Sequence, residues 1–101
     1  MLRRAARKDE NSDVIHDVLR DLGFVVFNTA RVGNGFGDCV IARRNRTHVV
    51  EIKKNRNKGP KIGWKLTPAE RKFHATWPDD VPIFDSVESV IKWEATLGNN
   101  K

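Results

Sequence analysis

The chain has 101 residues, a formal charge of +6 from 19 Lys or Arg against 13 Asp or Glu, and 39% hydrophobic residues, which fits one small domain built on one core. No apolar run approaches the roughly 20 residues of a membrane span, and the basic first nine residues lack the apolar segment of a secretory signal. A single cysteine excludes an intrachain disulfide, so the expectation is a cytoplasmic protein with a polyanionic partner and no membrane contact.

The whole chain, 1–101, is expected to be one domain, opening with a basic arm at 1–9. A first helix is expected over residues 11–22. Val14, Ile15, Val18, Leu19 and Leu22 recur there at helical spacing, with Asp13, Asp17 and Asp21 opposite. Gly23 supplies its stop, and the β-prone run 24–27 follows. The glycine-rich stretch 33–37 then leads into two strands, 38–43 and 47–53, joined by a turn at Arg44-Asn45. Residues 55–65 are polar and basic and predict a long flexible loop. Thr67-Pro68-Ala69-Glu70 is a helix start: Thr67 caps, Pro68 takes the first position, and Glu70 closes a capping box. That helix should run to about Thr76, ahead of Pro78. A short strand at 81–84 and a last helix at 86–97 complete the order, with Val87, Val90, Ile91 and Leu97 expected to face inward. The order helix, three strands, helix, strand, helix defines an α/β class with a mixed sheet flanked by helices.

Chemistry concentrates at Asp38 and Glu51-Ile52-Lys53. Alternate residues of a strand share a face, so Glu51 and Lys53 point the same way. Directly opposed residues of an antiparallel pair also share a face. Asp38 therefore faces Glu51 if the hairpin loop holds an even number of residues, or if a bulge at Asp38 relaxes that parity. Asp38, Val40, Ala42, Val49, Glu51 and Lys53 would then line one face, and Cys39, Ile41, Val50 and Ile52 the other. Two carboxylates can hold Mg²⁺, with the Ile52 carbonyl as a further ligand and positions left for water and a phosphate oxygen. Lys53 would orient the water or stabilise developing charge. Glu-x-Lys by itself is also an ordinary surface ion pair. Cys39 with His16, His48 and His74 lacks the close ligand pairs of a zinc motif, and Cys39 is expected to be a small buried residue.

Gly37-Asp38 with Glu51-Ile52-Lys53 resembles the signature of the PD-(D/E)XK nuclease superfamily. The wider pattern is similar to small stand-alone phage nucleases of the VRR-NUC type: Asn11, the helix ending at Leu22-Gly23, the segment from Val32 to Asp38, and the segment from Leu66 to Trp77. Short Holliday junction resolvases resemble the same core. The resemblance covers most of the chain. It implies a restriction-endonuclease-like α/β core, Mg²⁺ dependence with Mn²⁺ as a substitute, and phosphodiester hydrolysis. It further implies a homodimer acting on branched DNA, in a host cytoplasm if the protein is phage-encoded. Gly37 stands where the family name has proline, a position that shapes the turn and binds no metal. Many relatives carry Glu or Gln on the first helix where this chain has Ser12; Glu10 is the nearest acid that would compensate, and its other role is a favourable charge at a helix N-terminus.

Lys54, Arg56 and Lys58 in the basic loop are candidate phosphate contacts, as are Arg31 and Asn34 beside the glycine turn. All five also fit solvated loops. Trp64 fits either a base-stacking platform or the core. His74 fits either a site residue or a structural histidine. The function expected is a metal-dependent endonuclease on branched DNA. The alternatives are a non-catalytic DNA-binding module on a degenerate nuclease fold, which Ser12 favours, and a nuclease on linear DNA or RNA.

Overall fold

The computed structural model describes residues 10–54 and 64–97. The elements in chain order are α1 (Glu10–Asp21), β1 (Val25–Asn28), β2 (Cys39–Arg43), β3 (Arg46–Ile52), α2 (Pro68–Thr76), β4 (Ile83–Phe84) and α3 (Val87–Leu97). This is the expected succession. The expected basic arm at 1–9 and most of the basic loop at 55–65 lie outside the described residues.

The four strands form one mixed sheet in the order β1-β2-β3-β4. β1, β2 and β3 pair antiparallel, and β4 joins β3 in parallel. Arg43 pairs with Arg46, so the hairpin loop is the two residues Arg44 and Asn45. Both sit at positive φ, 56° and 67°, the backbone that a tight two-residue hairpin requires. The even loop sets Cys39 against Val50 and Val40 against Val49, which separates the two faces as the parity argument demands. The Asp38 amide also donates to the Val50 carbonyl at 2.8 Å. Two successive residues, Asp38 and Cys39, thus meet one partner, the offset of a β-bulge. The even loop fixes the register from Cys39 to Arg43, and the offset at Asp38 takes that residue out of strict parity, so its approach to Glu51 rests on the bulge.

Cys39, Ile41, Val50 and Ile52 form the sheet's contribution to the core, with Ile15, Leu19, Phe24, Phe84 and Val90 packed on them. The helices α1 and α3 touch each other on this side. Ile15 and Leu19 are the buried centre of the α1 stripe and Val18 and Leu22 pack against the core beside them, whereas Val14, about 100° round the helix from Ile15, is exposed. On α3 the inward residues are Val90, Trp93 and Leu97. Val87, at the helix's first position, and Ile91, one step round from Val90, face solvent instead of the core. Among the described residues no helix is long and apolar enough to cross a membrane.

Arg43 ties three elements at the far end of the hairpin. Its guanidinium lies 4.3 Å from the centre of the Phe24 ring, donates to the Leu22 carbonyl at 2.8 Å and pairs with Glu94 at 3.1 Å. Arg43→Met keeps the apolar stem but removes the charge, the hydrogen bonds and the ring contact. It is expected to cost about 2 kcal/mol, measured as a lower urea midpoint with unchanged m-value.

Candidate functional site

The other sheet face carries the candidate site. Val50 and Ile52 turn to the core, so Glu51 between them points to the opposite face. It does not reach solvent: Glu51 is 1% exposed. Asp38 stands beside it, with one carboxylate oxygen accepting the Ile52 amide at 2.8 Å, and its carboxyl shares a hydrogen bond with Glu51. Burial raises the Glu51 carboxyl well above the usual glutamate range. The hydrogen bond to Asp38 and the charges of Asp38 and Glu70 push it further, while Lys53 opposes them. Two carboxyl groups in this position share a proton unless a cation takes its place.

Gly37 makes the approach possible. A Cβ there would stand 2.5 Å from Val49 Cγ1 and 2.8 Å from the Val50 carbonyl oxygen. The turn into Asp38 presses on β3 too closely for any side chain.

The helix α2 covers Glu51. Thr67 and Glu70 form the expected capping box. Glu70 has a second duty that its capping role did not reveal: one oxygen accepts both the Thr67 amide at 2.9 Å and the Lys53 ammonium at 2.6 Å. Burial alone would raise the Glu70 carboxyl, but these hydrogen bonds hold it below the usual range. One turn later His74 places Nε2 3.3 Å from a Glu51 oxygen. Burial, then the Lys53 charge, lowers His74 against the pull of Glu70, so the ring is neutral at neutral pH. Glu70 and His74 are i, i+4 neighbours on one helix face, and that face meets the acid-lysine pair.

No residue of α2 is fully buried. Besides these polar contacts it is held by the glycine turn. Gly35, at φ +81°, lies so close that a Cβ would overlap the Ala69 carbonyl. Phe36 next to it packs edge-on against Phe73, 5.1 Å between centroids, and Trp77, 6.2 Å. Phe73 and Trp77 are therefore part of this small aromatic cluster, while Phe84 and Trp93 belong with the main core.

The helix α1 adds two residues that spacing did not single out for chemistry. The Asn11 side chain donates to the Lys53 carbonyl at 2.8 Å and ties α1 to the end of β3. His16 is 7% exposed, and its Nε2 has no hydrogen-bond partner among the described residues. Burial, then Arg20, lowers its pKa, against the opposing charges of Asp13, Asp17 and, least, Asp38. A histidine on the apolar stripe of α1 was the only signal available. Ser12 is half-buried one turn earlier.

Lys54, Arg31 and Asn34 are exposed, Lys54 just beyond β3 and the other two on the loop that leads to Asp38. Glu10 opens α1, but its side chain, like Arg56 and Lys58 entirely, lies outside the described residues. Trp64 is half-buried, and its indole donates to Asp85 at 3.0 Å. The buried Cys39 thiol is pushed up to about 12, by burial first and then by Asp38, so it is no nucleophile at neutral pH. Among the described residues no three His, Cys, Asp or Glu side chains converge closely enough to hold a metal by themselves. No family model matches the chain, and no curated protein and no solved structure matches it significantly.

Proposed function

We propose that the protein is a divalent-metal-dependent DNA endonuclease, selective for branched DNA such as four-way junctions and acting as a homodimer. The observation that carries the reading is Glu51: a carboxyl 1% exposed, crowded against Asp38, with Lys53 two residues further along the same strand end. A purely structural pair of acids in this position would raise the free energy of the fold at neutral pH, and the His74 contact and the Lys53 charge offset that in part. The basic charge of +6 supports a polyanionic substrate, and branched DNA is favoured by the resemblance of the motif-bearing segments to small phage nucleases and junction resolvases.

The donor set fits Mg²⁺ or Mn²⁺. The carboxylates of Asp38 and Glu51 are hard oxygen ligands, and two protein side chains suffice for an ion that keeps several waters. These two residues and the Ile52 carbonyl would hold it. When bound, the ion supplies an activated water and a Lewis acid for the phosphoryl oxygen. The chain's own residues do the rest. The Ile52 amide fixes the Asp38 carboxylate, and His74 orients Glu51 without adding a charge. Glu70 holds the Lys53 ammonium at the mouth of the site, where it would meet a phosphate.

The test is incubation of labelled four-way junction, linear duplex and single strand with Mg²⁺, Mn²⁺ or EDTA. Metal-dependent cleavage lost by at least a thousandfold in Asp38→Ala and Glu51→Ala is the expected result. Binding without cleavage under every condition would leave the second reading, a non-catalytic DNA-binding module, which the half-buried Ser12 in place of a helix-one acid favours. Equal rates on duplex and junction would remove the branched-DNA preference alone.

A further inference from the structure

We propose that the protein pairs with a second copy of itself through the free edge of β1, with Phe27 on the two-fold axis. The strand is at the edge of the sheet, with no neighbour beyond it among the described residues. Val25 is 59% exposed and Phe27 68%. Both lie on the same sheet face as the candidate site, because Val25 pairs with Ala42 and Phe27 with Val40.

The occupant follows from charge and hydrogen-bond geometry. Residues 24–30 carry no charge, in a chain that is 32% charged with a net +6. A nucleic acid would find no cation on this strip, and two copies of a basic protein repel least there. The edge also lacks the lysines and prolines that usually protect one. The Thr29 amide donates to the Asp38 carbonyl at 2.8 Å, which makes Thr29, Phe27 and Val25 the residues that bond inward to β2. The amides and carbonyls of Val26 and Asn28 therefore point outward. Two antiparallel copies can pair Val26 of each with Asn28 of the other, using all of these groups. Phe27 then faces Phe27 across the axis in a non-hydrogen-bonded pair, where side chains come closest, Cα to Cα about 4.5 Å.

Such an axis runs perpendicular to the sheet. Both candidate sites fall on one face of a continuous eight-stranded sheet. Five strand spacings of about 4.8 Å plus the offset along the strands put the two Glu51 residues roughly 28 Å apart. That arrangement would serve two cuts in one substrate. Only this use rests on the nuclease reading; the pairing stands on the edge itself.

The test is sedimentation equilibrium of the full chain from 1 to 200 µM at 0.5 M salt, with two variants. The wild type is expected to dimerise in the micromolar range, since four residues of edge bury less than a standard interface. Phe27→Asp, at an exposed position, should be monomeric throughout with unchanged circular dichroism. Phe27→Cys should form a disulfide-linked dimer with oxidised glutathione within minutes, because non-hydrogen-bonded cross-strand positions match disulfide geometry and the native Cys39 is buried. A monomeric wild type together with no cross-linking of Phe27→Cys overturns the proposal. So does a monomer whose Phe27→Asp variant loses affinity for single-stranded DNA, which would make Phe27 a stacking residue. Dimerisation with no nuclease activity would uphold the pairing and fail the nuclease reading.

Discussion

Glu51→Gln is expected to make the metal-free protein more stable at neutral and alkaline pH while abolishing cleavage. The glutamate carboxyl is raised by burial, by its hydrogen bond to Asp38 and by the Asp38 charge. The folded protein therefore keeps a proton that the unfolded chain gives up in the ordinary glutamate range near 4.5. The sign follows from linkage. The stabilisation from that proton is fully present below the ordinary value and is lost as pH rises through the raised one. Glutamine needs no proton. Its amide can donate to Asp38 and its oxygen can accept from His74, so the contacts survive without the charge. The cost of holding that carboxyl protonated at a pH where the unfolded chain ionises it is on the order of 1 kcal/mol or more. In EDTA at pH 8 a gain of about 1 kcal/mol corresponds to ~5 °C in melting temperature for a domain of this size. At pH 4, where the glutamate is already protonated, the two proteins should melt together.

The same variant should erase the response to added cation. Mn²⁺ or Mg²⁺ is expected to raise the wild-type melting temperature more at pH 8 than at pH 5, because at low pH the ion competes with the shared proton. Glu51→Gln should show no such shift at either pH. A variant less stable than wild type at pH 8 in EDTA would mean that Glu51 is a satisfied structural acid. The metal-site reading would then lose its main support.

Much of this geometry was legible in the chain. The alternation of apolar and acidic residues around Glu51, with a two-residue turn at Arg44-Asn45, was enough to set the hairpin register from Cys39 to Arg43 and to separate its two faces. Strand parity is a local rule, and it survives any packing of the helices. The Thr67 capping box was equally legible, because its partners are three residues apart. Contacts across distance were not. Glu70 was visible only as a cap, since nothing in its spacing says that Lys53, seventeen residues earlier, would share its oxygen. His16 on α1 depends on the crossing of a helix over a sheet, which periodicity does not specify. The exposed Val14, Val87 and Ile91 show the same limit from the other side. A hydrophobic stripe says which side of a helix can be buried, and the partner's width decides how much of it is.

Gly35→Ala is expected to remove α2 from the site and with it nearly all activity, although the core should stay folded. Two costs add at this position. The φ of +81° puts alanine in the left-handed region, at roughly 1 kcal/mol, and the new methyl overlaps the Ala69 backbone, which cannot turn aside as a side chain would. Overpacking of that kind costs about 1–3 kcal/mol more. The helix has little to set against it: no fully buried residue, one small aromatic cluster, and the Glu70 and His74 contacts. Gly33→Ala is the matching control, because Gly33 has φ +79° but open space where its Cβ would stand. It should carry the backbone strain alone, with cleavage within about threefold of wild type. In Gly35→Ala, cleavage should fall by a hundredfold or more, tryptophan emission should shift to the red as Trp77 leaves Phe36, and the main unfolding transition should move by a few degrees only. The core on the other face, from Ile15 to Val90, does not touch the substituted residue. Equal activity in the two alanine variants would show that α2 does not need its close seat on the glycine turn, and that Glu70 and His74 reach the Asp38–Glu51 pair without it.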